Sequence, residues 1–305
     1  MSYKYFVGSG CSFSDGGDSW IHKLPSRIGI EKIHNIARGS CGNQFIRTNL
    51  IYKVSELLRE GVNPHDILVC VQWTGTSRVD MMVDSEHVMT PNKFNKDFEV
   101  TNLGYYQVNG NHPLHEKLCE EYNTHAKGYI HSGGANNWTS DQILMNERWG
   151  FVLDYRTNDF QEKYLSNYFK YYFTEELGFL TFLNEVLMVQ NFLKVKEIPY
   201  LMFCGWDNIN SYADEDSISL LEKFSDQRYL FDNIDLDNFV FVESDLPNWV
   251  MRYNQTIEIQ TEYGGMWQYL CDEGIDNPEN RHPSSKGNLM WTEYLQNELE
   301  KRNYV

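Results

Sequence analysis

The chain predicts an α/β protein built on a parallel sheet, in three layers with helices covering both faces. Three observations carry that expectation. Apolar runs of strand length recur with helical stretches between them. Two of these runs, Asp66 to Trp73 (DILVCVQW) and Pro199 to Cys204 (PYLMFC), are apolar on both faces, as strands covered by helices on each side must be. The first run ends in GSGCSFSDGG, Gly8 to Gly17, at the carboxyl end of a strand, where open parallel sheets hold their ligands.

The elements follow in order. Tyr3 to Val7 (YKYFV) is the first strand and Lys32 to Ala37 (KIHNIA) the second. Asn43 to Glu60 reads as a helix, with Ile46, Leu50, Val54, Leu57 and Leu58 on one stripe, and leads into the third strand, Asp66 to Trp73. Residues 79–173 are polar, aromatic and turn-rich, with NGNHP at Asn109 to Pro113 and HSGGANNW at His131 to Trp138. A structureless loop of that length is uncommon in a compact domain, so this stretch is expected to be an insertion with small elements of its own. A long apolar helix, Glu175 to Val195, precedes the fourth strand, Pro199 to Cys204. Asp207 to Asn238 is acidic and reads as a solvated connection with a short helix around Ser217 to Phe224. Phe239 to Val242 (FVFV) is the fifth strand, and Lys286 to Arg302 the last helix, placing Leu289, Leu295 and Leu299 among charges. The whole of 1–305 reads as one domain carrying the 79–173 insertion.

Composition removes some functions. A formal charge of −17 argues against nucleic acid as the main partner, because such binding draws its affinity from Lys and Arg on phosphates. No stretch approaches the ~18 apolar residues of a spanning helix, and the N-terminus shows no extended apolar region. The expectation is therefore no signal peptide, no membrane partner and a cytoplasmic location at synthesis. The 6 cysteines lie without CxxC spacing, and Cys70 and Cys204 sit inside strand-like runs, which suits a reducing compartment. Aromatic residues make up 15% of the chain, and such rings suit sugar faces and interfaces as well as cores.

Ser12 is the candidate nucleophile. Small residues before it permit close backbone approach, and the N–H groups of a strand-to-helix turn can stabilise an oxyanion. The segment lacks the Lys of a P-loop and does not complete GxGxxG, which argues against a nucleotide site; on spacing alone a purely structural turn is the alternative to a catalytic one. A nucleophilic Ser needs a base. His34 lies in the second strand and His65 in a turn, both suited to structural roles. His112, His115, His125 and His131 fall in the insertion without HExxH spacing, so solvated or substrate-contacting roles rank above a metal, and no metal site is expected. His282 sits in DNPENRHPSSKGN directly before the last helix, with Glu279 three residues upstream and Pro283 after it. A carboxylate there can orient the imidazole and stabilise its charged form.

Together these pieces resemble the SGNH hydrolases, the GDSL-type esterases and lipases, which implies a flavodoxin-like three-layer fold. Gly10-Cys11-Ser12-Phe13 occupies the Gly-Asp-Ser-Leu block after strand one. Asn35-Ile36-Ala37-Arg38-Gly39-Ser40-Cys41-Gly42-Asn43 is similar to the second block, and Glu279-Asn280-Arg281-His282-Pro283 looks like the last. The chain departs from the family where Cys11 replaces an Asp and where Glu279 stands for the usual triad Asp, unless Asp276 takes that role. The third block, normally Gly-x-Asn-Asp, is represented by Gly75-Thr76-Ser77-Arg78 in VQWTGTSRVD, without the Asn. Thr74, Ser77 and Gln72 are the candidate replacements for that donor.

The resemblance implies a serine esterase removing acetyl or other short acyl groups, without a cofactor. Ser12 is the nucleophile, His282 the base and Glu279 its orienting acid. The oxyanion falls to the N–H groups of Ser12 and of Gly39 or Ser40, with Asn43 in the same block. One oxyanion donor is worth roughly 100 to 1,000-fold in rate, so slow turnover is expected if nothing replaces the Asn. Trp73, and in the insertion Tyr105, Tyr106, Trp138 and Trp149, are candidate substrate-binding rings, which suits an acylated glycan; packing within the insertion explains those rings equally well. The expected partner is a small-molecule ester or an acylated glycan. The divergent third block is similar to members encoded by tailed bacteriophages, which adds virion proteins as candidate partners. The alternative expectation is a weakly active or inactive carbohydrate-binding or virion structural module on the same fold.

Overall fold

Strand β1 (Tyr5–Ser9) runs into a short helical turn, α1 (Ser12–Asp15), and helix α2 (Trp20–Arg27). Strand β2 (Lys32–Asn35), helix α3 (Asn43–Arg59) and strand β3 (Ile67–Trp73) follow. This computed structural model describes residues 3–39, 41–76, 78, 80–84, 98–100, 106–108, 127–131, 171–210, 219–244, 261–276 and 282–305. Within 79–173 it contains two antiparallel pairs: β4 (Asp80–Asp84) with β7 (Lys127–His131), and β5 (Phe98–Val100) with β6 (Tyr106–Val108). Helix α4 (Glu175–Val195), strand β8 (Tyr200–Cys204), the short helices α5 (Leu220–Lys223) and α6 (Arg228–Phe231), and strand β9 (Phe239–Val240) come next. The chain ends with β10 (Val242–Ser244), β11 (Thr261–Gly264), α7 (Met266–Asp272) and α8 (Ser285–Lys301).

Five strands form one parallel sheet in the order β2-β1-β3-β8-β9. Val7 lies beside His34 and Val69, Gln72 beside Phe203, and Met202 beside Phe239. The order reverses at β1, which has β2 on one side and β3 on the other. In such sheets the crevice for ligands opens at the carboxyl ends of the strands flanking that switch. Ser12 leaves β1 at that edge.

Every residue of β3 and β8 is buried, as their two-sided apolar pattern requires. Helix α2 packs with α8, and α3 with α4, an arrangement compatible with three layers. On one face the Trp20 ring meets Phe6 and Phe203 edge-on, and Phe203 meets Trp291 of α8. Each such fully buried ring contributes about 1.5–3 kcal/mol relative to exposure. On the other face Trp73 meets Phe182 of α4 edge-on at 6.3 Å. Helix starts are capped: Ser284 accepts from the Gly287 N–H (3.0 Å) at α8, and Thr174 from the Leu177 N–H (3.0 Å) at α4. At α3 the carboxylate of Asp80 accepts from the Gly42 (2.6 Å) and Phe45 (2.7 Å) amides, an anion at a helix N-terminus.

Three expectations need correction. The run Phe239 to Val242 is not one strand: β9 ends at Val240, and from Val242 the chain turns away to pair antiparallel with β11. Both halves share one apolar pattern, which does not encode the pairing partner. The second strand stops at Asn35, although the Ile36 and Arg38 amides still reach the Gly8 and Gly10 carbonyls, each at 2.9 Å. Helices α2 and α7 were not expected; Pro25 lies inside the first and interrupts its helical pattern. Of the short helix expected around Ser217 to Phe224, 217 and 218 fall outside the described residues, and Leu220–Lys223 is helical.

Cys11, Cys41, Cys70, Cys204 and Cys271 are buried free thiols, and burial pushes those of Cys41, Cys70 and Cys204 up, keeping them uncharged. Cys119 lies outside the described residues. No helix among the described residues is long and apolar enough to cross a membrane.

Candidate active site

Ser12 opens the helical turn that follows β1, and its hydroxyl lies 2.9 Å from Nε2 of His282, 270 positions away in the chain. Ser12 is half-buried and His282 exposed, so the pair faces solvent at the carboxyl edge of the sheet. A hydroxyl at this distance from an imidazole nitrogen can pass its proton to the ring as the oxygen attacks an electrophile.

The turn under Ser12 is fixed by Gln72, a fully buried polar residue inside an otherwise apolar strand. Its Oε1 accepts from the Ser14 hydroxyl (2.8 Å) and, more weakly, from the Cys11 amide (3.4 Å). Its Nε2 donates to the Trp73 carbonyl (2.8 Å), and Trp20 Nε1 donates to the Ser14 oxygen (2.8 Å). This chain satisfies polar groups whose burial would otherwise be costly. It also explains Gly10: a Cβ there would lie 2.5 Å from Ser14 Oγ and 2.9 Å from Gln72 Oε1.

The His282 loop is held from below. Both oxygens of buried Asp276 accept from the Ser284 amide (3.1 and 3.2 Å), and the Asn288 side chain accepts from the Trp20 amide (3.3 Å). Asp276 therefore supports the start of α8, and its hydrogen bonds go to that amide rather than to His282; as the alternative triad acid it is corrected. Glu279 lies outside the described residues.

The oxyanion expectations fare differently. Gly39 lies beside Ser12, since a Cβ on it would be 3.9 Å from Ser12 Cβ, but its amide already donates to Asp15 Oδ2 at 2.8 Å. Ser40 and Ser77 lie outside the described residues. Asn43 is spent on backbone: its Nδ2 donates to the Thr74 carbonyl (3.0 Å) and its Oδ1 accepts from the Thr74 amide (2.9 Å). Asn208 donates to the same carbonyl (2.9 Å). Thr74 is fully buried, and its hydroxyl has no hydrogen-bond partner among the described residues. Asn43, Thr74 and Gln72 thus hold the ends of β1, β3 and β8 together and do not offer donors to solvent. Trp73 is also corrected as a substrate ring, because strand alternation turns it into the α4 layer, fully buried. Tyr105, Trp138 and Trp149 lie outside the described residues, as do His112, His115 and His125; nothing is described of the side chains of Tyr106 and His131. No cluster of three or more His, Cys, Asp or Glu that could hold a metal ion occurs among the described residues.

Sequence reasoning missed the aromatic rim. Phe13 packs on Trp206 (4.3 Å between ring centroids), on Trp267 (5.6 Å) and edge-on against His282 (5.5 Å). Trp206 follows β8 and precedes Asp207, whose buried carboxylate accepts from the amides of Ile209 (2.9 Å) and Asn210 (3.1 Å). Burial pushes the Asp207 carboxyl up, against those hydrogen bonds. The signal for the rim was Gly205-Trp206-Asp207 at a strand exit, the same kind of place as Gly10-Cys11-Ser12. A depression of about 420 Å³, lined by Leu236, Asp237, Asn238, Arg302 and Tyr304, lies at the amino end of β9, the opposite edge of the sheet.

Comparison with known proteins found no matching family model, no matching curated protein and no matching solved structure.

Proposed function

We propose that the chain is a serine hydrolase acting on ester bonds. Its type is that of the SGNH esterases, and its substrates are acetyl or other short acyl esters, including those on carbohydrate. The observation that carries this reading is the 2.9 Å contact between Ser12 Oγ and His282 Nε2. The order of the pieces supports it too: Ser12 after β1, Gly39 after β2 and His282 before the last helix, around a sheet in the order β2-β1-β3-β8-β9.

In the proposed reaction His282 takes the Ser12 proton as Oγ adds to the acyl carbon. It then returns that proton to the leaving alcohol, and water releases the acid by the same route in reverse. Glu279 is the orienting acid in this reading, and the Ser12 amide is the first oxyanion donor. Gly39 becomes the second once Asp15 lets go of its amide. A second reading, a weakly active or inactive carbohydrate-binding or virion module, is favoured by one observation: the Gly39 amide is already occupied.

Steady-state hydrolysis of p-nitrophenyl acetate by the parent, Ser12→Ala and His282→Ala tests the first reading. Each substitution is expected to lower kcat/KM by roughly 1,000-fold or more. Equal rates in all three proteins end it. Glycan binding by Ser12→Ala, with no hydrolysis by the parent, supports the second.

A further inference from the structure

Arg78 differs from four other described cations near the core. Arg27, Arg47, Lys53 and Arg302 each hold a carboxylate, whereas Arg78 pairs with none among the described residues. Its guanidinium carbon lies 4.8 Å from the centroid of the Trp206 ring. Among the described residues its one side-chain polar contact is a long one, to the Cys41 carbonyl at 3.4 Å. The nearby carboxylates of Asp15 and Asp80 accept from backbone amides instead. In a chain of net charge −17, a half-buried guanidinium without an acid partner among the described residues is conspicuous.

Its place gives this meaning. Arg78 follows β3, Trp206 follows β8 and Ser12 follows β1, three neighbouring strands at one edge of the sheet. Trp206 packs on Phe13, the residue after Ser12, and Phe13 packs on His282. Stacking on an aromatic face holds a guanidinium while leaving N–H groups to point outward.

We propose that Arg78 determines specificity at this site, and that the ester cleaved at Ser12 carries a carboxylate which the Arg78 guanidinium receives. The proposal rests on the hydrolase reading above. A planar carboxylate matches the two-pronged donor geometry of Arg, and its single charge suits a single cation in an acidic protein better than a phosphate dianion does.

The test compares 3-acetoxybenzoate with its neutral methyl ester, which share the same acyl group and a similar leaving phenol. The readout is the ratio of kcat/KM for the anionic over the neutral ester. Arg78→Gln is expected to lower that ratio by roughly 10 to 100-fold, the worth of a hydrogen bond to a charged group, acting through KM. Arg78→Lys, which restores the charge without the fork, falls between. A purely structural role for Arg78 lowers both rates together, and an unchanged ratio in Arg78→Gln overturns the proposal. If the parent cleaves neither ester, the hydrolase reading is what fails. Calorimetric binding of 3-acetoxybenzoate then decides the anion site: weaker binding by Arg78→Gln than by the parent supports it, and equal binding overturns it.

Discussion

The amide of Gly39 donates to the carboxylate of Asp15 at 2.8 Å, within reach of the Ser12 side chain. An oxyanion forming on Ser12 would compete with that carboxylate for the same N–H, and two negative oxygens at one donor repel. Asp15→Ala is therefore expected to free the amide and raise kcat for p-nitrophenyl acetate, towards the roughly 100-fold that one such donor provides. A fall in kcat with unchanged thermal stability would mean that Asp15 holds the loop in its working position.

Gln72 is the buried support of the turn that carries Ser12. Gln72→Leu keeps much of the volume but leaves the Ser14 hydroxyl and the Cys11 amide without their Gln72 acceptor, while the Trp73 carbonyl keeps the Gly205 amide (2.7 Å). Each stranded group costs about 1–3 kcal/mol, so urea denaturation should show a clear loss of stability. Gly10→Ala should destabilise by a similar route, since its Cβ would press on Ser14 and Gln72, both anchored by the same network.

Ser284→Ala removes the cap of α8 and should cost about 1 kcal/mol, measured by thermal unfolding. Asp276→Ala removes the acceptor of the Ser284 amide and loosens the loop carrying His282. It should lower kcat as well as stability, whereas a triad acid would lower kcat alone. Comparing the two losses in one variant separates these roles.

Asp207 gives a pH dependence with a definite sign. Burial raises its folded pKa above the unfolded value, so the folded state holds the proton more tightly. Its contribution favours folding at pH below the unfolded pKa and declines as pH rises through the folded one. Asp207→Asn keeps an oxygen acceptor for the Ile209 and Asn210 amides without the charge. The variant should gain stability relative to the parent as pH increases over that window. A stability difference independent of pH would show that the carboxyl does not titrate there.

Parts of this architecture were open to reading from the sequence because they depend on local pattern. The two-sided apolar runs of β3 and β8 announce buried parallel strands, and GSGCSF and NRHPSS stand out as loops at element ends. What escaped depends on partners. A lone Gln in ILVCVQW does not reveal that it reaches Ser14 and Cys11, and the Trp after it looks available until strand alternation turns it into the α4 layer. Phe239 to Val242 carries one continuous pattern although its halves join different sheets. The Asp15 to Gly39 contact is equally silent in sequence, since both residues occur in ordinary turn contexts.

The central claim is that Ser12 is a nucleophile activated by His282. Labelling with an alkyl fluorophosphonate, followed by peptide mass spectrometry, tests it most directly, because the reagent traps an activated serine irreversibly. One adduct is expected on the peptide carrying Ser12, absent in Ser12→Ala and formed roughly 100-fold or more slowly in His282→Ala. No adduct at Ser12, or labelling of Ser12 at the same rate in the parent and His282→Ala, would contradict it.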